Sequence, residues 1–322
     1  VIGKGWHDHF GGPHAEIIAL ADCKSRGLSP AGGVMYVTLE PCCHHGKTPP
    51  CTKAVIDSGI RRVVIAVEDP SEKVSGKGAA ELREAGIDVE TGVCEDIAKD
   101  LTAPFCKFSV RAEPWVIVKW AQSSDGFLAS SVNRWISGET SRRDAHHLRR
   151  RVQAILVGSE TALADDPLLT PRPPGRAPLK RLVLDSGLRI TPDSRLFENI
   201  QEHPLIIVTS EGALDTAGLS SAGAEVLTCP SGESGLDLEY LLKELGRRGV
   251  QQLLVEGGSR VITSFLEQSL ADEAVVYISA HRLAGDGLVP ASGPMRHLTE
   301  GKGFVSLRMR HLEGDRCLCG RL

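Results

Sequence analysis

The chain has 322 residues, of which 41% are hydrophobic and 24% charged, and its formal net charge is -4. Its length suits two domains, and it has no apolar run close to the roughly 20 residues that a membrane helix needs. The slightly acidic balance and the 4% aromatic content disfavour a nucleic-acid partner, and nine Cys residues fit a reducing cytoplasm better than a disulfide framework.

The first part of the chain predicts alternating strands and helices. Val1 to Trp6 resemble a strand, and we expect part of the N-terminal domain to precede them. Hydrophobic periodicity and terminating glycines predict the elements that follow. These are helices at His14–Arg26, Cys51–Ser58 and Ala79–Ala85, and strands at Val34–Leu39, Arg62–Val67 and Asp88–Thr91. This order predicts an α/β layered domain.

A break near Arg111 to Pro114 separates this region from a second run of elements. We therefore predict two domains, 1–112 and 113–322. The second run contains predicted strands at Trp115–Trp120, Ala154–Val157, Arg181–Asp185, Leu205–Thr209, Gln251–Glu256 and Glu273–Ser279, helices at Leu236–Arg247 and from Ser259, and a terminal strand around Cys317–Cys319. No internal repeat is visible, so the two halves are expected to have different activities.

Two separated motifs in the first half predict a hydrolytic zinc site. His14, Cys42 and Cys51 supply imidazole and thiolate ligands, and a catalytic zinc site leaves its fourth position to water. Glu16 is the carboxylate that would carry the proton of that water to a departing amine. Cys51 begins a predicted helix, whose N-terminus should favour the thiolate.

Two other interpretations of the motifs remain open on the residues alone. Cys43 or His44 could complete a closed structural zinc site, although such a site has no use for Glu16. A nucleic-acid or nucleoside deaminase with a non-catalytic C-terminal domain is the other alternative, although it would need a basic, aromatic-bearing groove.

Three segments of the second half are candidates for binding. A strand runs into Gly257-Gly258-Ser259 and then a helix, a junction that lets backbone N–H groups approach a phosphate but is often only a turn. Thr161 to Pro167 follow another strand and would hold ribose hydroxyls or an amide, or simply form a cap and turn. Arginines 142, 143 and 149–151 lie on a predicted helix, where one or two of them would clamp a phosphate.

Taken together, the sequence resembles the family of bifunctional riboflavin-biosynthesis deaminase–reductases. The resemblance covers nearly the whole chain and rests on motifs that occur in the family's order. They are PHAE, TLEPCCHHGKTPPC, VKWAQSSDG, RWISG, AILVGSETALADDPLLTPR and VEGGS. It implies a cytidine-deaminase-like α/β/α domain followed by a mixed-sheet domain that resembles dihydrofolate reductase.

The resemblance also implies two reactions on small phosphoribosylated pyrimidines. The first is zinc-dependent hydrolytic removal of the 2-amino group of 2,5-diamino-6-(5-phosphoribosylamino)pyrimidin-4(3H)-one. The second is reduction of the ribosyl group of the resulting aminouracil to ribityl by NADPH. Neither nucleic acid nor membrane is an expected partner, and a homo-oligomer is left open.

Matching the family's motifs residue by residue implies the following roles. His14, Cys42 and Cys51 hold Zn²⁺, and Glu16 and Lys119 are catalytic. Substrate contacts fall to His7, His44, Lys47, Asn133, Arg149, Leu169, Arg172 and Glu256. Cofactor contacts fall to Ala121, Trp135, Thr161, Asp165 and the Gly258–Ser264 segment with Ser259.

Three features depart from the family's pattern. Its Pro-Asn-Pro-x-Val-Gly segment is absent from this chain, and Cys43 replaces a Ser beside the first zinc Cys. The stretch from Ala129 to Arg134 is shorter than usual, so Asn133 is only the nearest equivalent of the family's substrate-binding Ser.

Overall fold

A computed structural model of the chain describes residues 1–8, 11–45, 49–71, 74–175, 177–213, 218–232 and 235–322. These residues form two compact units, Val1–Arg111 and Ala112–Leu322. Each unit has its own sheet and its own hydrophobic core. None of the helices in the described residues is long and apolar enough to cross a membrane.

The N-terminal unit combines a parallel sheet with helices. Its described helices are α1 (Ala15–Ser25), α2 (Cys51–Asp57), α3 (Lys77–Glu84) and α4 (Glu95–Arg111), and its strands are β1 (Val34–Leu39), β2 (Arg62–Val67) and β3 (Asp88–Thr91). The strand order is β1-β2-β3, and both neighbouring pairs are parallel. Helices α2 and α3 make the crossovers that parallel pairing requires.

The core of this unit forms around the central strand. Val63, Val64 and Ile65 of β2 are all buried, as is typical of a parallel strand covered on both faces. Helix α4 was not predicted from the sequence. Pro104 interrupts its pattern, and apolar side chains such as Ile97 lie on an exposed face of the helix.

The strand expected at Val1 to Trp6 is wrong. This segment instead lies against α1, where the N–H of Lys4 donates to Asp22 Oδ2 at 2.9 Å. A Cβ at Gly3 or Gly5 would come within 2.4 Å of a carbonyl oxygen of α1. The two glycines therefore permit a close helix contact, and their spacing gave the misleading alternation.

The C-terminal unit is larger. Its described helices are α5 (Glu139–Arg149), α6 (Ser159–Asp165), α7 (Leu238–Arg247), α8 (Ser259–Glu267) and α9 (Gly293–Thr299). Its described strands are β4 (Trp115–Gln122), β5 (Ala154–Gly158), β6 (Lys180–Leu184), β7 (Leu205–Ser210), β8 (Glu225–Cys229), β9 (Ser231–Gly232), β10 (Gly235–Leu236), β11 (Gln252–Val255), β12 (Glu273–Ile278), β13 (Ser306–Leu312) and β14 (Asp315–Arg321).

Nine of these strands form one mixed sheet in the described residues, in the order β13-β14-β12-β4-β11-β5-β6-β7-β8. The strands from β12 to β8 run parallel, whereas β14 is antiparallel to both of its neighbours. All five residues of β5 are buried, which matches the continuous apolar run in the sequence. The predicted mixed sheet of the second domain is confirmed.

Helix α5 matters for the site because it carries Arg149. Its N-terminus is capped by Asp315, which is only 4% exposed and begins β14. The Asp315 carboxylate accepts hydrogen bonds from the Gly138 N–H at 2.7 Å and the Ser141 hydroxyl at 2.6 Å. Sequence patterns do not reveal this cap, because Asp315 lies far along the chain from the helix it caps.

Candidate active sites

Three metal-ligating side chains meet in the N-terminal unit. His14 is the N-cap of α1, Cys42 follows β1, and Cys51 is the first residue of α2. His14 Nδ1 lies 3.5 Å from Cys42 Sγ and 3.3 Å from Cys51 Sγ, and the three ligand atoms all lie within 4.8 Å of one another. The structure therefore brings the three predicted zinc ligands together at one point.

The donor set of this group fits zinc. Zn²⁺ binds thiolate and imidazole ligands, and three protein ligands leave one position open for water. The N–H of Cys51 already donates to Cys42 Sγ at 3.4 Å, an orientation that suits a thiolate acceptor. Neither Cys43 nor His44 belongs to the group that the described residues form, which disfavours a closed structural site.

The two thiols of the group have opposite pKa shifts. A hydrogen bond from the Cys51 thiol lowers the pKa of Cys42, and the same bond raises the pKa of Cys51. We expected the start of α2 to favour a thiolate at Cys51, but both the thiol and the N–H of Cys51 donate to Cys42. The hydrogen bond with Cys42 also raises the pKa of His14. Because metal ligands must be deprotonated, metal binding at this group would release protons.

Two further predicted residues lie beside the ligand group. Glu16, in the first turn of α1, is only 8% exposed, and its burial raises the pKa of its carboxyl group. A hydrogen bond from Cys51 acts in the opposite direction. The ring of His7 packs edge-on against His14 with centroids 5.3 Å apart, and its Nδ1 lies 3.0 Å from the carbonyl oxygen of Pro13.

Two predicted substrate contacts of the N-terminal unit remain, His44 and Lys47. His44 Nδ1 is buried and has no hydrogen-bond partner among the described residues. The pKa of the nearby Asp69 carboxyl is raised by burial, and the His44 charge acts against that shift. Lys47 lies outside the described residues.

Helix α3 and the residues before it hold the segments that contain Cys42 and Cys51, which was not predicted from the sequence. Glu40, two residues before Cys42, is 3% exposed and accepts three backbone hydrogen bonds. The donors are the N–H groups of Asp69 (3.2 Å), Gly76 (3.0 Å) and Ala79 (2.9 Å). Thr52, next to Cys51, donates from its hydroxyl to Glu81 of α3 at 3.0 Å. The position of Glu40 inside the TLEPC motif was the signal available in the sequence.

In the C-terminal unit, Lys119, Arg149 and Glu256 form a buried ion-pair group, here called the Glu256 cluster. Glu256 is only 5% exposed, and Arg149 binds both of its carboxylate oxygens, at 2.8 and 2.9 Å. Lys119 Nζ lies 3.5 Å from Glu256 Oε2. Burial alone would raise the pKa of Glu256, but Arg149 and Lys119 lower it to about 2. The acid that pairs with Lys119 is therefore Glu256.

A second set of polar contacts supports Lys119 on its strand. Its Nζ lies 5.7 Å from the ring centroid of Tyr277, a residue of the adjacent strand β12. The Tyr277 hydroxyl donates to Asp144 Oδ2 at 2.8 Å, and Arg310 binds both oxygens of Asp144 at 2.7 and 3.0 Å. These contacts connect the Glu256 cluster to α5 and β13.

The loop after α6 reaches the same cluster. Arg149 donates from Nη1 to the carbonyl oxygen of Thr170 at 3.2 Å. The neighbouring Leu169 is 3% exposed and has a positive φ of 54°, whereas Arg172 is exposed. The structure therefore places Arg149, Glu256 and the loop with Leu169 and Arg172 close together.

A buried arginine that was not predicted fixes the other side of this loop. Arg181 of β6 is 0% exposed, and burial lowers the pKa of its guanidinium to about 10. It donates to the carbonyl oxygens of His203 at 2.6 and 3.0 Å and of Leu168 at 3.1 Å. An Arg at the start of a strand normally indicates exposure, so this role could not be predicted from the sequence.

The turn from β11 into α8 makes close contacts that suit a phosphate-binding turn. A Cβ on Gly257 would lie 2.6 Å from Val157 Cβ, and one on Gly258 would lie 3.1 Å from Thr161 Oγ1. Gly258 has a φ of 49° and is the N-cap of α8, with Ser259 as the first helical residue. A bare backbone at a helix N-terminus can bind a phosphate group. Thr161 lies within helix α6. It is therefore not part of the turn that we gave as the alternative for its segment.

The other predicted cofactor and substrate residues are more exposed. Trp135 is 60% exposed and lies between two guanidinium groups, those of Arg134 at 5.2 Å and Arg142 at 5.1 Å. Ala121 pairs with Tyr277 across β4 and β12. Within the described residues, no hydrogen bond or ion pair connects Trp135, Ala121, Asn133 or Asp165 to the Glu256 cluster.

Two family models together match most of the chain. Residues 114–313 match the RibD C-terminal domain, and residues 1–67 match the cytidine and deoxycytidylate deaminase zinc-binding region. The first match covers most of the unit with the mixed sheet, and the second contains all three metal-ligating residues. These matches confirm the cytidine-deaminase-like and reductase domains expected from the sequence.

Relatives of known sequence or structure cover both units at once. The riboflavin biosynthesis protein RibD of Aquifex aeolicus is 41% identical over 98% of this chain and 87% of its own length. A Thermotoga maritima crystal structure, titled a diaminohydroxyphosphoribosylaminopyrimidine deaminase/5-amino-6-(5-phosphoribosylamino)uracil reductase, is 34% identical with a TM-score of 0.84. It covers 100% of this chain and 88% of that one. Acinetobacter baumannii RibD is 30% identical with a TM-score of 0.78, over 100% of this chain and 89% of that one.

Each part of the family's bifunctional chemistry has a counterpart among the residues described above. The His14, Cys42 and Cys51 group supplies a zinc donor set beside Glu16, and the mixed-sheet unit carries the glycine turn and the Glu256 cluster. The chain therefore belongs to the RibD family of riboflavin biosynthesis, whose members join a zinc-dependent deaminase to an NADPH-dependent reductase.

Proposed function

We propose that this chain catalyses two successive reactions on phosphoribosylated pyrimidines. The first releases ammonia from 2,5-diamino-6-(5-phosphoribosylamino)pyrimidin-4(3H)-one, and the second reduces 5-amino-6-(5-phosphoribosylamino)uracil. The substrates named for the Thermotoga maritima protein support this assignment. The observation that carries it is the joint presence in one chain of the His14–Cys42–Cys51 group and the Glu256 cluster.

In the proposed deamination, His14, Cys42 and Cys51 would hold zinc, and Glu16 would move the proton. When bound, Zn²⁺ supplies a Lewis acid that makes water nucleophilic at neutral pH. Glu16 takes a proton from the attacking water and delivers it to the departing amine. Its burial suits this role, because a raised pKa brings a carboxyl group closer to the operating pH. His7 and His44 would contact the substrate.

In the proposed reduction, Lys119 acts at the sugar carbon bonded to the pyrimidine amine. Opening of the sugar ring breaks the bond between this carbon and the ring oxygen, which leaves an imine and a hydroxyl group. When bound, NADPH would supply hydride to the carbon, and a proton would go to the nitrogen. Lys119, whose ammonium group lies 3.5 Å from Glu256 Oε2, would give that proton.

The phosphate of the substrate needs fixed positive charge. We propose that Arg172, exposed in the loop between α6 and β6, binds this phosphate, and that Arg149 holds the loop and Glu256 in place. Thr161, Gly258 and Ser259 would bind the phosphates of NADPH. Trp135, Asp165 and Ala121 would line the rest of the cofactor site, and Asn133 would contact the substrate.

We further propose that the substrates are free small molecules and not bases within nucleic acid, and that the enzyme works in the cytoplasm. A formal net charge of -4 supports the first point. The free state of Cys23, Cys94 and the other cysteines supports the second, because free thiols persist in reducing compartments.

The test separates the two sites by substitution. Glu16→Gln should keep its zinc while ammonia release falls by at least ~10²-fold, the low end for a general acid–base residue. Cys51→Ser should lose the metal itself, as judged by zinc quantitation. Lys119→Ala should mainly lower kcat for NADPH oxidation on the deaminated substrate. Wild-type ammonia release by zinc-loaded Glu16→Gln would contradict the proton-transfer role.

A further inference from the structure

A histidine with no assigned role lies beside the Glu256 cluster. His146 is on α5 three residues before Arg149, so the two side chains share one face of the helix. The Nδ1 atom of His146 is buried and has no hydrogen-bond partner among the described residues. Buried polar atoms nearly always have a partner, so an unpaired one beside a substrate site points to a group supplied by a ligand.

The surroundings of His146 indicate what kind of group that is. Arg149, Arg172 and Lys119 place positive charge around it, and Glu256 offsets only part of that charge. Burial, followed by the charge of Arg149, lowers the pKa of His146 to about 4. The imidazole is therefore neutral near pH 7, where it offers one donor and one acceptor and adds no charge. The arginines suit an anionic phosphate, whereas a neutral imidazole suits an uncharged hydroxyl group.

We propose that His146 is a substrate-contacting residue of the reductase site, whose Nδ1 exchanges a hydrogen bond with a hydroxyl group of the ribosyl moiety. This proposal rests on the proposed reductase function. It adds a specificity element for the neutral part of the sugar, which neither Lys119 nor the arginines provide. This hydrogen bond should be equally strong in the bound substrate and in the transition state. Its loss should therefore raise KM and change kcat little.

The test compares three replacements of His146 with one at its neighbour. His146→Asn keeps a polar atom close to the position of Nδ1, His146→Gln places its amide nearer to Nε2, and His146→Leu removes both. His147→Leu is the matched control, because His147 is the exposed next residue of the same helix. Each protein is assayed for NADPH oxidation with the deaminated substrate varied, and for NADPH affinity and melting temperature.

We expect His146→Leu and His146→Gln to raise the substrate KM by about 2- to 13-fold, the range for one neutral hydrogen bond. NADPH affinity should not change, and His146→Asn should recover most of the loss. His147→Leu should match the wild type. If His146→Leu fails to fold, the comparison of His146→Asn with His146→Gln still decides the matter.

An unchanged KM in a folded His146→Leu protein, or equal KM values for the Asn and Gln variants, would overturn the proposal. Failure of the wild-type enzyme to oxidise NADPH with this substrate would instead refute the proposed function. Because the wild type is measured in the same series, the two failures are distinguishable.

Discussion

The contacts of the Glu256 cluster allow a quantitative prediction of the free energy of unfolding. Arg149→Met removes a guanidinium that binds both oxygens of Glu256, a carboxylate only 5% exposed. Among the described residues, Lys119 at 3.5 Å is then the remaining ion-pair partner of Glu256. Breaking a buried pair by removing one partner costs about 3–5 kcal/mol, because the remaining charge stays buried. We expect the free energy of unfolding of the C-terminal unit to fall by that amount at pH 7.

Urea unfolding followed by tryptophan fluorescence suits this measurement. Three of the four tryptophans, Trp115, Trp120 and Trp135, lie in the C-terminal unit. The pH dependence has a defined sign, because the folded-state pKa of Glu256 is lowered to about 2. The carboxylate therefore adds stability above its unfolded pKa of about 4.3, and this contribution disappears as pH falls toward 2. The cost of Arg149→Met should shrink over the same range.

Two further variants complete the test. Arg143→Met removes an exposed ion pair with Glu139 on the same helix, and it should cost at most about 0.5 kcal/mol. Adding Glu256→Leu to Arg149→Met removes the stranded carboxylate and should recover at least about 1 kcal/mol. A loss below 1 kcal/mol for Arg149→Met, or a double variant less stable than the single one, would refute the reasoning.

Three other substitutions test the supporting structure and the substrate phosphate. Arg181→Met should lower the free energy of unfolding by at least about 3 kcal/mol in urea, since it leaves the partly buried carbonyl groups of His203 and Leu168 without these donors; a near-neutral effect would contradict this. Glu40→Ala should weaken zinc binding by about 10- to 100-fold in a chelator competition, as loss of a supporting contact does; unchanged affinity would show that α3 does not position the ligands. Arg172→Ala should raise the substrate KM by about 10- to 150-fold with NADPH affinity unchanged, as expected for a charge-assisted hydrogen bond; loss of NADPH affinity alone would reassign the phosphate.

The sequence predicted most elements whose side-chain pattern follows from burial. Strand β1 and strand β2 appear with the predicted ends, because each is bounded by glycine, proline or charged residues. Helix α4 was missed because several of its apolar residues, such as Ile97 and Leu101, are exposed and blur its periodic pattern. The expected strand at the N-terminus was wrong because its glycines permit a close contact with α1. The hydrophobic pattern of a segment predicts its structure where that segment's own residues are buried. It fails where contacts with another helix or strand determine how the segment packs.

The residues of the candidate sites also divide into those that could be predicted from the sequence and those that could not. His14, Cys42 and Cys51 were found because each carries its own ligand chemistry in a specific motif, and the structure brings them together. Arg181 was not found, because its role depends on carbonyl groups from distant loops. The unpaired Nδ1 of His146 was also beyond the sequence, because the burial of one ring atom depends on tertiary packing.

The central claim is that one chain first deaminates and then reduces the same pyrimidine. It is tested most directly by a time course with zinc-loaded wild-type protein, the diamino substrate and NADPH, in which ammonia and NADP⁺ are both measured. We expect ammonia to appear first and NADP⁺ then to rise to the same final amount, with no NADPH oxidation when the zinc is removed beforehand. Oxidation of NADPH by the zinc-free protein with the diamino substrate, or ammonia release with no later oxidation, would contradict it.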